Sequence, residues 1–209
     1  QLIKIKPRMG LERANFFVKN MANKKPSPEG KVDPQGPTGV PAKAVFFDRD
    51  GTLNVDIHYL HRPEDFIWID GAKEAIKYVN DQGYLAILMT NQSGVARGFY
   101  PESDVKRVYD WMNRELQKVG AHLDALYYCP HHPEAKLPEY RKICTCRKPA
   151  TGLIDKACAR FGIDCTKSYF VGDSEADMLC AKNAGLKGLL YTGGSLRELL
   201  VKSIITDKM

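Results

Sequence analysis

The feature that most constrains this chain is a short apolar run that ends in two acids one residue apart. Residues 44–47 are Ala-Val-Phe-Phe, and the next five residues are Asp-Arg-Asp-Gly-Thr. A short apolar run that ends at a turn signal predicts a buried strand. Residues i and i+2 of an extended chain point to the same side. We therefore expect Asp48 and Asp50 to face one pocket at the carboxyl end of a strand, where open α/β sheets carry their chemistry.

Apolar and amphipathic segments alternate along the rest of the chain. Strands are predicted at 43–47, 84–89, 125–128, 168–171 and 187–191, helices at 72–82, 101–119, 152–161, 175–184 and 196–201, and a short strand at most at 203–206. This order predicts an α/β fold with a doubly wound, Rossmann-like parallel sheet and helices on both faces.

Polar residues follow several of these strands and predict a site for phosphoryl transfer. Asp48 can attack phosphorus as a nucleophile. Asp50 can give a proton to the leaving oxygen and later take one from the attacking water. Thr90 and Lys148 offer a hydroxyl and a positive charge to the phosphoryl oxygens. Asp173, with Asp48 and the backbone carbonyl of Asp50, offers the hard oxygen ligands that Mg²⁺ prefers.

Two pairs of metal-binding residues flank a hydrophilic stretch between the third strand and Lys148. The pairs are Cys129-x-His131 and Cys144-x-Cys146. Three thiolates and one imidazole suit tetrahedral Zn²⁺, and a site with four protein ligands has no open position for water. We expect a structural zinc that fixes a loop over 129–146.

Composition separates an arm from the main domain. The 209 residues carry a net charge of +6, of which +5 belongs to residues 1–42 and only +1 to the rest. We expect a basic, proline- and glycine-rich N-terminal arm over 1–42 and one domain over 43–209. The nearly neutral domain and the lack of a long apolar run exclude nucleic acid and membranes as expected partners. The other three cysteines are expected to be buried thiols, because a disulfide scaffold is unusual in a chain of this length. Free thiols fit a reducing compartment, so we expect a cytoplasmic protein, and we expect it to be a monomer.

The motifs together resemble those of the haloacid-dehalogenase superfamily, in order along the chain. They are Asp-x-Asp-Gly-Thr at 48–52, Thr90, Lys148 and Gly-Asp-x-x-x-Asp at 172–177. Three longer strings, at 47–54, 90–98 and 129–133, resemble the heptose 1,7-bisphosphate phosphatase branch of that superfamily. The resemblance covers about residues 43–193.

The resemblance implies a Mg²⁺-dependent phosphomonoesterase of sugar phosphates that acts through a phospho-aspartyl intermediate. The substrate is then a small sugar bisphosphate, and removal of its 7-phosphate is the expected reaction. Substrate contacts are expected at Asp56, His58, Tyr59, Asn91, Gln92, Ser93 and Arg147, and Arg97 can hold a second phosphate. No large cap domain is expected, because residues 54–72 are too few to form one.

Three alternatives stay open. One is a polynucleotide 3′-phosphatase, which would prefer a basic groove and is disfavoured by the charge of only +1 on residues 43–209. Histidinol-phosphate phosphatases share the Asp-Arg-Asp-Gly-Thr start and the zinc loop, but they commonly carry Asp where this chain has Ser93. A zinc-stabilised interaction module that has lost catalysis is the alternative from another class. The chain also departs from its relatives at Ser174, where Lys is common, and Asp177 is expected to orient the loop, through Lys148 or backbone groups, rather than to bind the metal.

Overall fold

The computed structural model describes residues 41–206. The first forty residues of the predicted arm lie outside this range, so the arm remains a prediction. Ala42 is the last residue assigned to the arm, and it pairs with the domain. Its N–H donates to the carbonyl of Gly162 over 2.9 Å, and its carbonyl accepts from the N–H of Asp164 over 2.8 Å.

Five strands and six α-helices alternate through the described residues. The strands are β1 (Ala44–Phe47), β2 (Leu85–Asn91), β3 (Ala125–Cys129), β4 (Tyr169–Gly172) and β5 (Lys187–Leu190). The helices are α1 (Ala72–Asp81), α2 (Ser93–Ala96), α3 (Glu102–Gln117), α4 (Gly152–Phe161), α5 (Glu175–Asn183) and α6 (Leu196–Thr206). Short 3-10 turns cover Pro63–Asp65, Pro138–Tyr140 and Cys165–Lys167.

The sheet is entirely parallel and its strands lie in the order β3-β2-β1-β4-β5. The chain therefore winds outward from β1 in one direction and then returns to wind in the other. This confirms the predicted doubly wound α/β fold. The reversal occurs beside β1, so the acids that follow β1 lie at the switch point where such sheets bind ligands.

Alternation along the strands divides the core between the two faces of the sheet. Val45 and Phe47 pack on one face with α1, α3 and α6, whereas Ala44 and Phe46 pack on the other with α4 and α5. All four side chains are fully buried. A strand that is covered on both faces has no polar positions, which explains why β1 is a continuous apolar run.

The predicted short strand at 203–206 is wrong, because α6 continues to Thr206. Its buried residues Leu196, Leu200 and Ile204 recur every four positions, which is the spacing of one helix face. Ser203 supports the helix by donating its hydroxyl to the carbonyl of Leu199 over 2.9 Å. The β-branched pair at the end of this segment had favoured a strand, and packing against α1 outweighs that preference.

The link from β1 to α1 contains only loop and the turn Pro63–Asp65, which confirms that no large cap domain lies there. The short helix α2 was not predicted, and it follows β2 directly. Within residues 41–206, no helix is both long and apolar enough to cross a membrane.

Candidate active site

Asp48 is the first residue beyond β1 and lies at the centre of the site. Its N–H donates to the carbonyl of Val171 over 2.9 Å, so the β1–β4 pairing fixes its backbone. Its carboxylate lies 2.7 Å from the ammonium of Lys148. Burial raises the pKa of Asp48 to about 7, although Lys148 opposes the shift. Cations beside this carboxylate therefore decide whether it is an anion at neutral pH.

Lys148 is held by two carboxylates in the interior. Its Nζ lies 2.7 Å from Asp48 and 2.6 Å from Asp177, and the side chains of Lys148 and Asp177 are 3% and 0% exposed. Burial lowers the pKa of Lys148, but the two carboxylates outweigh burial and the net shift is upward. Lys148 therefore stays charged, and Asp177 orients it as predicted.

Asp173 follows β4 and lies close to Asp48. Carboxylate oxygens of Asp48, Asp173 and Asp177 all lie within 4.8 Å of one another. Gly51 makes this approach possible, because a Cβ at that position would lie 2.2 Å from the Asp173 carboxylate. The hydroxyl of Thr52 donates to Asp173 over 3.3 Å. Hard oxygen donors at this spacing fit a Mg²⁺ ion.

The Asp50 carboxylate is bound by Arg49. The Arg49 guanidinium donates to both Asp50 oxygens over 2.9 Å and to the carbonyl of Leu60 over 2.7 Å. Asn54 donates to the same carboxylate over 3.1 Å. The Arg49 side chain is 1% exposed, so this pair is an internal support.

Gln92 connects Asp50, which follows β1, with Thr90, which lies near the end of β2. Its amide nitrogen donates to Thr90 Oγ1 over 2.9 Å and to Asp50 over 3.1 Å. Its amide oxygen accepts from the hydroxyl of Tyr100 over 2.7 Å, which fixes the orientation of the amide. Burial raises the pKa of Tyr100 to about 12, so this hydroxyl remains a donor. Gly94 leaves room for the ring, since a Cβ there would lie 2.2 Å from it.

A pocket of about 220 Å³ opens beside Asp50. It is lined by eight residues: Asp50, Asp56, His58, Tyr59, Asn91, Gln92, Ser93 and Tyr100. Six of the eight predicted substrate contacts are in this set. Asn91 also holds Lys148 in place, because its amide bonds the backbone N–H and carbonyl of Lys148 over 3.1 and 3.3 Å.

The outer wall of this pocket, formed by residues 56–59, has an unusual backbone. His58 and Tyr59 both adopt left-handed conformations, with φ of 61° and 56°. The carboxylate of Asp56 supports the turn by accepting the N–H of His58 over 2.8 Å. The Tyr59 ring packs edge-on against Phe99, with centroids 4.8 Å apart. Consecutive left-handed residues other than glycine are costly and occur most often at binding sites.

The two predicted arginine contacts do not line the pocket. Arg147 donates to the carbonyl of His131 over 3.3 Å, and both Arg147 and Arg97 lie near enough to His132 to lower its pKa, after the larger effect of burial. Both positive charges therefore act on His132 of the Cys/His loop. Ser174 caps α5 instead of reaching outward, because its hydroxyl accepts the N–H of Asp177 over 3.3 Å and donates to the Asp177 carboxylate over 2.6 Å.

The four predicted zinc ligands converge at the end of β3. The ligand atoms of Cys129, His131, Cys144 and Cys146 all lie within 4.8 Å of one another, and five contacts among them measure 3.2–3.7 Å. A tetrahedral zinc with Zn–S bonds of about 2.3 Å needs ligand atoms about 3.7 Å apart. The donor set and its spacing fit that ion. His132 lies outside the cluster, and its Nδ1 accepts the N–H of Glu134 over 3.1 Å.

Three residues that support the site were not predicted from the sequence. Arg49 and Asn54 bind Asp50, and Tyr100 orients Gln92. Arg49 lies inside the Asp-x-Asp motif at the position where any residue is allowed, so the motif gave no signal for it. A charged residue next to an apolar strand must find a partner when it is buried, and this rule could have identified Arg49.

A family model matches the carboxyl-terminal part of the chain. Residues 145–207 match the HAD-hydrolase-like family model, and this range contains Lys148, Asp173 and Asp177.

Comparison with curated proteins extends the similarity over most of the chain. A D-glycero-beta-D-manno-heptose-1,7-bisphosphate 7-phosphatase of Haemophilus ducreyi is 47% identical over 157 residues, which is 74% of this chain and 86% of the relative. The protein of the same name from Pasteurella multocida is 45% identical over 75% of this chain and 85% of its own length.

A solved structure is similar over the same part of the chain. It is a D,D-heptose 1,7-bisphosphate phosphatase of B. bronchiseptica in complex with magnesium and phosphate. The TM-score is 0.65 at 32% identity, and the match covers 77% of this chain and 86% of that one.

Proposed function

Because the chain belongs to the D-glycero-beta-D-manno-heptose-1,7-bisphosphate 7-phosphatases of the HAD-like hydrolases, which are phosphatases, we propose that it removes the 7-phosphate of that sugar bisphosphate. The observation that carries the proposal is the pocket beside Asp50, which six of the expected substrate contacts line. The relatives are named for the β anomer, so we propose the β anomer as the preferred substrate.

The first step is attack by Asp48 on the 7-phosphorus. The Asp48 carboxylate forms a bond to phosphorus while the bond to the sugar oxygen breaks, which gives an acyl phosphate on Asp48. Asp50 gives its proton to the departing sugar oxygen, which leaves as an alcohol. Lys148 and the Thr90 hydroxyl donate to the phosphoryl oxygens, and both are held before substrate arrives. Because Thr90 Oγ1 already accepts from Gln92, its own hydrogen is free for this contact.

In the second step, water hydrolyses the acyl phosphate. Asp50 is now a carboxylate and takes the proton from the attacking water, so one residue serves both half-reactions. Arg49 keeps the Asp50 side chain in one orientation in both half-reactions, through contacts of 2.9 Å to its two oxygens. Asp48 and Asp173, with the backbone carbonyl of Asp50, would hold Mg²⁺. A bound Mg²⁺ supplies positive charge that offsets repulsion between the Asp48 carboxylate and the phosphate.

Specificity for a bisphosphate follows from the cations on the Cys/His loop. Arg147 and Arg97 carry positive charge near His132 of the Cys/His loop, and we propose that they hold the second phosphate, the one that is not cleaved. Ser93 lines the pocket and carries no charge, so nothing at that position favours the cationic amine of histidinol phosphate.

The Cys/His cluster would hold a structural zinc that positions these cations. Cys146 is followed directly by Arg147 and Lys148, so fixing Cys146 fixes both. The thiolate ligands that zinc requires are stable in a reducing compartment, and we propose the cytoplasm. We expect about one Zn per chain by metal analysis. Cys144→Ser should lower the zinc content and the Tm, whereas Cys180→Ser is the matched control and should keep the zinc, because Cys180 is not one of the four ligands.

A panel of phosphate-release assays tests the proposal. The substrates are both anomers of the heptose 1,7-bisphosphate, histidinol phosphate and a 3′-phosphorylated oligonucleotide, each with Mg²⁺ and with EDTA. ³¹P NMR of the product should show the 1-phosphate retained and the 7-phosphate released. Turnover that is highest with histidinol phosphate would refute the substrate, and turnover that is unchanged in EDTA would refute the need for Mg²⁺.

The bisphosphate grip needs a separate comparison. Arg147→Ala should raise KM for the 1,7-bisphosphate about tenfold, as loss of a hydrogen bond to a charged group would. KM for the 7-monophosphate should change little. Arg141→Ala is a matched control on the same loop, since Arg141 donates to the loop carbonyl of Ala135 instead. Equal effects of Arg147→Ala on both substrates would show that the second phosphate is held elsewhere.

A further inference from the structure

A second cysteine pair lies away from the candidate active site. The Sγ of Cys158, in α4, is 2.9 Å from the Sγ of Cys165, which begins the turn before β4. Both thiols are free and partly exposed, and both pack against the apolar cluster on the α4–α5 face of the sheet. The mechanism proposed above uses neither of them.

The backbone between the two cysteines brings the thiols together. Gly162 ends α4 in a left-handed conformation, with φ of 61°, and its N–H donates to the carbonyl of Cys158. Ile163 donates to the same carbonyl over 3.2 Å. Asp164 then pairs with Ala42 and caps the following turn by accepting the N–H of Thr166 over 3.0 Å. These bonds hold the chain reversal without help from the sulfurs, so the contact between the thiols is a consequence of the fold.

The environment of this pair differs from that of the other four cysteines. Cys129, Cys144 and Cys146 share their cluster with a histidine, whereas no third metal ligand joins Cys158 and Cys165 among the described residues. Cys180 is fully buried and donates to the carbonyl of Ala150. Two partly exposed thiols in contact, with no metal ligand beside them, suit disulfide formation.

We propose that Cys158 and Cys165 form a reversible disulfide by exchange with a low-molecular-weight disulfide of the glutathione class. In the first exchange, the Cys165 thiolate attacks one sulfur of the small disulfide, whose S–S bond breaks. One small thiolate leaves and takes up the proton that Cys165 has lost. In the second exchange, the Cys158 thiolate attacks the Cys165 sulfur and displaces the second small thiol, which takes up the proton of Cys158. Two protein thiols are oxidised and one small disulfide is reduced to two thiols.

The order of the two attacks follows from the surroundings of Cys158. Burial, and then the hydrogen bond to Cys165, raise the pKa of Cys158. A thiol with a raised pKa contributes little thiolate, so Cys165 makes the first attack.

The position of the pair predicts an effect on stability rather than on catalysis. Cys165 precedes the amino end of β4, whereas Asp173 follows its carboxyl end. The crosslink therefore closes the α4–β4 connection at the edge of the sheet opposite the phosphatase site. We expect oxidation to raise the Tm by about 4–8 °C, because the crosslink lowers the conformational entropy of the unfolded chain. The kcat should change less than twofold.

Peptide mapping of the full, zinc-loaded chain tests the proposal. The protein is equilibrated in glutathione buffers from about −300 to about −180 mV, quenched in acid and alkylated. Trypsin cleaves after Arg160, so the two cysteines fall in separate peptides, 157–160 and 161–167. The expected product is these two peptides linked, with the other four cysteines alkylated after zinc removal.

Matched variants separate this disulfide from general oxidation. Cys165→Ser should give no linked peptide and no rise in Tm, whereas Cys180→Ser should behave like the natural chain. Mapping of the natural chain decides the question even if a variant fails to fold. Full alkylation of both cysteines at about −180 mV would overturn the proposal, as would a stable glutathione adduct on Cys165. So would a link from either cysteine to Cys180 or to a ligand of the zinc cluster.

Discussion

The floor and the outer wall of the candidate site hold their side chains in opposite ways. The floor consists of Asp48, Lys148 and Asp177, and the side chains of Lys148 and Asp177 are at most 3% exposed, with contacts of 2.6–2.7 Å between opposite charges. The wall, residues 56–59, carries His58 with 86% of its side chain exposed. Charges buried in this way are fixed before substrate arrives, whereas exposed groups adapt to it. The difference suggests that the floor performs the chemistry and that the wall adjusts affinity.

The comparison can be tested first at the nucleophile, where the largest effect is expected. Asp48→Asn removes the attacking carboxylate and keeps nearly the same shape, so kcat should fall by at least about 10⁴-fold. The fold should stay intact, and the Tm should fall less than in a variant of Asp177, because burial already disfavours the Asp48 carboxylate and raises its pKa to about 7. Phosphate release by stopped assay and thermal unfolding measure the two quantities. If a few per cent of the activity remained, with no phosphoenzyme trapped by acid quench of the natural enzyme, attack by Asp48 would be excluded.

The second test concerns how Asp177 contributes to the floor. Asp177→Asn leaves Lys148 with one carboxylate in the interior. Loss of one partner of a buried ion pair lowers the free energy of unfolding by about 3 kcal/mol. We also expect kcat to fall about 100-fold, because Lys148 loses the contact that aims it at the phosphate.

Magnesium titration separates this role from metal binding. Asp177→Asn should leave the Mg²⁺ concentration for half-maximal activity nearly unchanged, whereas Asp173→Asn should raise it strongly. A similar rise in both variants would mean that Asp177 is a metal ligand.

The sequence predicted the catalytic and metal-binding side chains better than their supports, and the reason is local. Asp48, Thr90, Lys148 and Asp173 each follow a strand or a metal ligand, so the order of elements was enough to bring them to one edge. Polarity at the end of an apolar run is a signal that a single sequence contains.

The supports depend on distances that the sequence does not contain. Tyr100 reaches Gln92 only because α2 turns the chain back, and α2 was not predicted. Arg49 is buried because Leu60 returns across it from the β1–α1 loop. The predicted strand at 203–206 was wrong for a related reason. Packing of α6 against α1, and not local preference, decides the structure of this segment.

The third test asks whether the support that Gln92 gives to Thr90 and Asp50 affects the rate alone. Tyr100→Phe removes the hydroxyl that fixes the Gln92 amide and keeps the ring that packs beside Gly94. One neutral hydrogen bond is worth about 1 kcal/mol, so kcat should fall about fivefold while KM stays the same. Tyr109→Phe is a matched control, because its hydroxyl donates to the carbonyl of Leu123 away from the site. Equal losses in the two variants would assign the effect to general destabilisation.

The smallest effect is expected at the wall. His58→Asn removes the imidazole, and Asn tolerates the left-handed conformation that this position requires. An exposed polar contact is worth at most about 1 kcal/mol, so KM should rise no more than about fivefold and kcat should not change. His122→Asn, at an exposed position bonded to Asp124, controls for loss of a histidine. If His58→Asn instead lowered kcat about 100-fold, the wall would take part in the chemistry. The division between a floor that reacts and a wall that binds would then fail, since an exposed side chain would be shaping the transition state as strongly as the buried pair does.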